Sequence, residues 1–273
     1  MEDTDCLVIG AGVSGLTAAH ELKKRGVDIR TGVTVDQIVR QPEVVTARLR
    51  DGLSLNVEQV LVSVGRGFNS RGIGLEKAGV QVGTRGEIVV NDRMETNVPG
   101  VYAIGDVVGK AMLAHVASAQ GKVAVENFMG RPRTIDYDVI PTGIFTLPEI
   151  GRVGLTEQQA RDRCVAAGKD PQQSVKVGRF RYGGLGKAQA TGDIQGLLKV
   201  VADAESDRIL GVHILGAHAA DLVHEAALAM HLGATVSRVA EMIHAHPTLA
   251  EGLMEAMEDV HGHAIHLARK PSS

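Results

Sequence analysis

Residues 96–115 read T-N-V-P-G-V-Y-A-I-G-D-V-V-G-K-A-M-L-A-H, and this stretch constrains the chain more than any other. Val101 to Ile104 is a short apolar run that stops at Gly105-Asp106, the pattern of a buried parallel strand emptying into a tight turn. A carboxylate at the end of such a strand lies in the crevice where open α/β sheets take their ligands. Asp106 could there accept hydrogen bonds from sugar-like hydroxyls, with Gly105 letting the backbone come close. An isolated Gly-Asp pair is better explained as a cap on the following helix.

A second glycine-bearing turn opens the chain. Cys6 to Ile9 is an apolar strand, followed by Gly10-Ala11-Gly12-Val13-Ser14-Gly15 and a helix to Arg25 that Gly26 closes. Strand, G-x-G-x-x-G loop and helix N-terminus form a diphosphate cradle: Gly10 makes the turn, Gly12 admits the diphosphate, and Gly15 lets helix pack on strand. A nucleotide fold of this kind ends its second strand, about 20 residues on, with an acid for the ribose hydroxyls. Here Val27 to Val33 reads as that strand, yet it ends in Gly32-Val33, and Asp28 stands at its start.

Further on, Val44 to Leu49 and Leu53 to Val57 alternate as a hairpin about Asp51-Gly52. Gln59 to Val64 reads as a buried strand, Leu75 to Val82 and Ile88 to Val90 lead to Thr96, and His115 to Met129 is an amphipathic helix. A polar connector, Arg133 to Ile140, separates a first domain, 1–135, from a second, 141–273. In the second, Thr156 and Gln159 form a capping box for a helix to Ala167. Val175 to Phe180, Leu197 to Ala202 and Ile209 to Leu215 are strands; Ala219 to Leu232, Val236 to Ile243 and Leu249 to His263 are helices. Strands in a run followed by helices make an α+β layer. Phe145, Phe180 and Leu215 are expected in its core.

The strongest catalytic candidate is H-A-H-P-T-L-A-E, His244 to Glu251. Pro247 fixes a turn ahead of a helix that Thr248 can cap, and Glu251 falls in its opening turn. A carboxylate there can accept the His246 N–H, fix the tautomer, and leave the other nitrogen free for proton transfer. A bare His-Pro is more simply a surface helix start.

Composition removes other classes. A formal charge of -3 without a basic block gives no case for nucleic acid or an anionic membrane, and 3% aromatic residues with no Trp leave little surface for stacking bases. The N-terminus Met1-Glu2-Asp3 has the wrong sign for a secretory leader, and the run Leu7 to Ala19 is broken by glycines and too short for a bilayer. Cys6 and Cys164 show neither framework nor metal spacing, which suits a reducing cytoplasm. His261, His263 and His266 read as a solvated tail, so no metal site is expected. Tyr182 and Lys187 are spaced wrongly for a short-chain dehydrogenase, and with the ribose acid missing a simple NAD-binding dehydrogenase is disfavoured.

Thr96 to His115 resembles the second flavin-binding fingerprint of the pyridine nucleotide-disulfide oxidoreductases, and Ile9 to Gly15 resembles their first. Gly65 to Asn69 is similar to the family's V-G-R-x-P-N crossover, with Phe68 where Pro is usual. From Phe145 onward the chain resembles the family's C-terminal dimerisation domain, and His244 to Glu251 resembles the acid–base pair of its dihydrolipoamide dehydrogenase branch.

The resemblance implies that Asp106, with Gly105, binds the ribityl chain of FAD, that Gly10, Ala11, Gly12 and Gly15 hold its diphosphate, and that Met112, Leu113, Ala114 and His115 line the flavin. It makes His246 the base that deprotonates a dihydrolipoyl dithiol, Glu251 its support and His244 an outer His. NAD is then the co-substrate, a homodimer the working form, a 2-oxoacid dehydrogenase complex the host, and cell redox homeostasis the setting. Residues 22–38 are similar to a passage deep in the family's nicotinamide domain. The expected fold is therefore α/β: a truncated FAD/NAD(P)-binding (Rossmann-like) domain with a large internal segment missing, then the α+β dimerisation domain. The family's redox cysteine pair has no counterpart here, which leads to an expectation of impaired turnover. The alternative is a non-catalytic dimerisation module with residual FAD binding.

Overall fold

The computed structural model describes the backbone of Glu2–Ile9, residues 28 and 30, and residues 32–267. The loop Gly10 to Gly15 and the helix to Arg25 lie outside the described residues. The chain divides into two compact units, Met1–Thr134 and Ile135–Ser273.

In the first unit, strands β1 (Glu2–Ile9), β2 (Val35–Arg40), β3 (Val45–Leu49) and β4 (Ser54–Val62) form a sheet in the order β1-β4-β3-β2. β1 runs parallel to β4, and the other pairs are antiparallel. The β3–β4 hairpin is set by its side-chain alternation: Ala47 and Leu55 are partners in register, and Leu49, Leu55 and Val57 share one buried cluster. Gly52 takes φ 91° in the turn, and the Asp51 carboxylate accepts the Leu53 N–H at 3.0 Å.

Three sequence expectations fail in this unit. Residues 28, 30, 32 and 33 lie outside any strand; the strand begins at Val35, where pairing with β3 becomes available. Gln59 to Val64 is no separate buried strand but the continuation of β4, and Leu61, Val62 and Val64 are exposed. Val101 to Ile104 is not a strand of the sheet. It pairs locally instead: Thr96 N–H donates to Val101 O at 2.8 Å and Ala103 N–H to Met94 O at 3.1 Å, a pairing back on residues 94–96.

Helix α1 (Ala114–Phe128) buries Val116, Gln120, Val123, Ala124 and Asn127 along one face. Two of those positions are polar, and each is a tie. The Asn127 amide donates to Val123 O at 2.8 Å and Arg133 O at 2.6 Å while accepting from Arg93 Nε at 2.7 Å.

The second unit is a five-stranded antiparallel sheet in the order β5-β6-β9-β8-β7, made of β5 (Thr142–Ile144), β6 (Glu149–Gly154), β7 (Val175–Arg181), β8 (Leu197–Asp203) and β9 (Ile209–Gly216). Short helices α3 (Pro171–Ser174) and α4 (Gly186–Thr191) and helices α2 (Glu157–Ala166), α5 (Ala219–His231), α6 (Val236–Ala240) and α7 (Glu251–Val260) complete it. Glycine lets two helices lie directly on one face. A Cβ on Gly151 would stand 2.0 Å from Ala219 O, and one on Gly178 would stand 2.1 Å from Ala256 O. On the other face Ala160 and Cys164 of α2 pack with Val175, Val177 and Val201. Phe180 is buried as expected and Leu215 half-buried, but Phe145 is 84% exposed, because it follows the three-residue β5 into a loop.

The capping box forms as read: Gln159 N–H donates to Thr156 Oγ1 and Thr156 N–H to Gln159 Oε1. Beside it, Glu157 meets Lys199 at 2.7 Å, Arg179 at 2.9 Å and Arg161 at 3.0 Å. The Lys199 ammonium, aided by both guanidiniums, outweighs the cost of burial and pulls the Glu157 carboxyl from 4.5 down to about 2. A depressed carboxylate stabilises the fold above its unfolded value, and that contribution is lost as pH falls toward about 2. With the side chain 23% exposed, solvent trims the contribution to about 1–2 kcal/mol. Glu157→Gln should therefore lower the urea midpoint clearly at neutral pH and little at about pH 2.5, where most of the linkage is spent. An equal decrement at both pH values would contradict this account.

Candidate functional site

The best-formed constellation lies where the chain leaves α6 and enters α7. Residues 244–250 make no regular structure, and the His246–Pro247 peptide is cis. Glu251 opens α7 and turns its carboxylate back over the loop. Its Oε1 faces His246 Nδ1 at 2.8 Å, and its Oε2 accepts the Thr248 N–H at 2.8 Å. Thr248 does not cap the helix, contrary to the sequence reading. Its hydroxyl donates to Ala245 O at 2.7 Å, and Ala250 takes the N-cap position without a side-chain bond. The loop thus closes on itself through the Thr248 hydroxyl and the Glu251 carboxylate, and backbone carbonyls of Leu249 and Ala250 take N–H groups of the helix's first turn.

Burial opposes the Glu251 charge, but the Thr248 N–H and His246 outweigh it and hold the carboxyl below its ordinary value. Since an ionised carboxylate only accepts, Nδ1 of His246 must carry a hydrogen, and in the neutral ring the lone pair is then at Nε2. The imidazole is 74% exposed, lying over Gly186 at the start of α4, where a Cβ would come 3.6 Å from its Cε1. A fixed tautomer with an open, reachable nitrogen is the arrangement of a general base.

His244 behaves differently. Its side chain is 2% exposed, with Nδ1 at 3.0 Å from Met242 O and Nε2 at 2.8 Å from the Glu225 carboxylate on α5. It is an internal anchor rather than an outer group. Glu225 was not legible in the sequence, since nothing in the spacing of α5 distinguishes it from a solvated helix position. An open cleft of about 600 Å³ lies on this side of the loop, lined by Lys187, His218, Asp221, Glu225, Pro247 and Thr248.

His263 and His266 are exposed at 72% and 63%, as a solvated tail would be, but carboxylates hold two of the three C-terminal histidines. His261 Nε2 lies 3.0 Å from Asp207, and His266 Nδ1 lies 2.6 Å from Glu255, itself 1% exposed. Glu255 also accepts the Ile265 and His266 N–H groups at 3.0 and 3.2 Å. Among the described residues no three His, Cys, Asp or Glu groups gather as metal ligands.

In the first unit, Gly105 adopts φ 81°, ψ -160°, and Asp106 begins a 3-10 turn to Val108. The buried Gln120 of α1 accepts the Gly105 N–H at 2.6 Å and so pins the turn. Gln120 had a signal in the sequence: a polar side chain four residues after Val116 and three before Val123 sits at a core position. Asp106 Oδ2 lies 3.4 Å from Arg66 Nε, and its side chain is 41% exposed. A reachable carboxylate beside a close-approach glycine fits a hydroxylated ligand. Met112 and Leu113 are half-buried, and Ala114 and His115 exposed, at the start of α1. Gly10, Ala11, Gly12 and Gly15, which the sequence assigns to the diphosphate, lie outside the described residues.

Known proteins match both units. Residues 140–257 match the family described as pyridine nucleotide-disulphide oxidoreductase, dimerisation domain, and residues 18–121 match pyridine nucleotide-disulphide oxidoreductase. Dihydrolipoyl dehydrogenase of Thermus scotoductus is 45% identical over 91% of this chain and 53% of its own length, and that of Bacillus subtilis is 41% identical over 90% and 51%. The chain spans about half the length of the curated relatives it matches. Among solved structures, the flavoprotein disulfide reductase RclA of Escherichia coli superposes with a TM-score of 0.78 at 25% identity, covering 89% of this chain and 54% of that one. LpdA of Mycobacterium tuberculosis shares the fold at 23% identity, with a TM-score of 0.80 over 93% of this chain and 55% of that one.

Proposed function

Because the chain belongs to the pyridine nucleotide-disulphide oxidoreductase family of FAD- and NAD-dependent enzymes, we propose that it performs thiol chemistry of the dihydrolipoyl dehydrogenase type. In that reaction a dithiol loses two electrons and two protons to become a disulfide, while NAD⁺ gains a hydride and one proton is released. The single observation that carries the reading is the 2.8 Å contact of His246 Nδ1 with Glu251, which leaves Nε2 open to take a thiol proton.

Asp106 would hold hydroxyls of FAD, Gly105 would admit its backbone approach, and Met112 to His115 would line it, with Gly10, Ala11, Gly12 and Gly15 reserved for the diphosphate. Bound FAD supplies the two-electron carrier between thiol and nicotinamide. Cys6 stands in β1 and Cys164 in α2, in different units and far apart in sequence, so we assign neither to a redox pair and expect turnover well below that of full-length relatives. A homodimer is the proposed working form: Phe145, Leu147 and Ile243, at 84%, 90% and 95% exposure, offer apolar surface of the kind that subunits cover. A 2-oxoacid dehydrogenase complex is the proposed host and the reducing cytoplasm the proposed location. Among the described residues no helix is long and apolar enough to cross a membrane.

The test is the visible spectrum of the purified chain before and after FAD is added, followed by a dihydrolipoamide–NAD assay. A flavin spectrum that survives desalting, with measurable turnover, is the expected result. A second reading, a non-catalytic dimerisation module with residual FAD affinity, is favoured by the placement of the two cysteines. A dimer that shows no turnover with FAD added would select it.

A further inference from the structure

The exposure of His246 poses a positioning problem that its own packing cannot solve. Its ring is 74% exposed, yet its Nδ1 must meet Glu251 at 2.8 Å. Something else must hold the backbone that carries it. On the C-terminal side the hold is visible in Thr248, tied to Glu251 through its N–H and to Ala245 through its hydroxyl. On the N-terminal side the only side chain of residues 242–246 that is buried is His244, and both of its ring nitrogens face acceptors, Met242 O and the Glu225 carboxylate.

Two acceptors facing one imidazole require two protons in the unit: either both ring nitrogens carry hydrogen, or Glu225 donates one. In both cases the Glu225 contact is charge-assisted or buried, and removing the carboxylate strands a buried ring nitrogen. Glu225 lies on α5, which rests against the sheet through Gly151 and so is itself rigidly placed.

We propose that Glu225, acting through His244, is the positioning residue that aligns His246 with Glu251. It touches none of the reacting atoms; it fixes the loop from beneath while Thr248 fixes it from ahead. The inference deepens the proposed function and rests on His246 being the base in that reading.

The test reads the tautomer of His246 in the full chain by ¹⁵N-histidine NMR, above neutral pH, and needs no flavin. The wild-type protein should hold the Nδ1–H form in large excess. Glu225→Ala should lower the ratio of Nδ1–H to Nε2–H about tenfold, the scale of one charge-assisted hydrogen bond. Glu225→Gln, which can still bond the ring, should stay within about twofold of wild type. An unchanged ratio in Glu225→Ala, or an equal fall in Glu225→Gln, overturns the proposal. Should Glu225→Ala fail to fold, Glu225→Asp, which keeps the charge and shortens the reach by one methylene, is read in its place by the same criterion. A chain without turnover whose ratio responds as described leaves the positioning role standing, whereas a wild-type His246 without tautomer preference removes the dyad and with it the proposed function.

Discussion

His246→Gln in the FAD-loaded chain is expected to lower the rate of dihydrolipoamide oxidation by about 10²–10⁴-fold, the range of a lost general base. The amide that replaces the imidazole has no nitrogen lone pair with which to take a thiol proton. Two neighbouring histidines are already committed: His244 is 2% exposed with both ring nitrogens engaged, and His266 is tied to Glu255 at 2.6 Å. Glu251→Gln should cost less, because the side chain can still accept the Thr248 N–H or the His246 proton, though without the charge. The Glu251 carboxyl is held below its ordinary value, so the anion persists throughout the neutral range, and its contribution disappears only in acid. Equal steady-state rates for wild type and His246→Gln would remove this residue from the chemistry.

Tyr182→Ala should destabilise the second unit by about 3–5 kcal/mol, the cost of a large cavity in a closed core. The ring is fully buried, and it occupies space that two glycines vacate: a Cβ on Gly216 would stand 2.4 Å from its Cζ, and one on Gly196 would stand 2.5 Å from its Cδ2. Its hydroxyl donates to Ala217 O at 3.0 Å. Burial first, and the nearby Glu149 charge second, push the phenol well above its usual range, so it remains a donor at any working pH. Tyr182→Phe isolates the hydroxyl and should cost about 1–2 kcal/mol, because the Ala217 carbonyl loses its donor. Urea unfolding followed by circular dichroism measures both, and a loss under about 1 kcal/mol for the alanine variant would mean that the core closes over the gap. The functional consequence follows from connectivity. Tyr182 begins the 3-10 turn that leads through Leu185 to Gly186, directly under His246, and Leu185 packs against Gly252 beside Glu251.

The second unit was the more legible one. Its strands β7, β8 and β9 were read to within a residue, because each is a continuous run bounded by turn residues, and the capping box at Thr156 declared the start of α2 through chemistry that is local. The first unit was less so. Val101 to Ile104 has the composition of a buried strand, but a strand needs a neighbour, and residues 94–96 claimed its hydrogen bonds first. Val35–Arg40 carries no clear alternation of its own and forms a strand because β3 lies opposite it. Phe145 looked like core because it is aromatic beside a strand, and only the shortness of β5 leaves it outside.

By itself the sequence already made Glu251 a candidate partner for His246, since five positions across a proline turn and the opening of a helix put the two within reach of each other. It also determined the close-approach glycine before Asp106. Tertiary structure alone decided what holds these pieces still: Glu225 beneath His244, 19 residues away, Gln120 on the Gly105 amide, 15 away, and Glu255 on the tail at His266. Local spacing fixes which groups are adjacent along a turn. Which distant carboxylate or amide satisfies a buried donor depends on how helices settle on a sheet, and that packing is a property of the whole core.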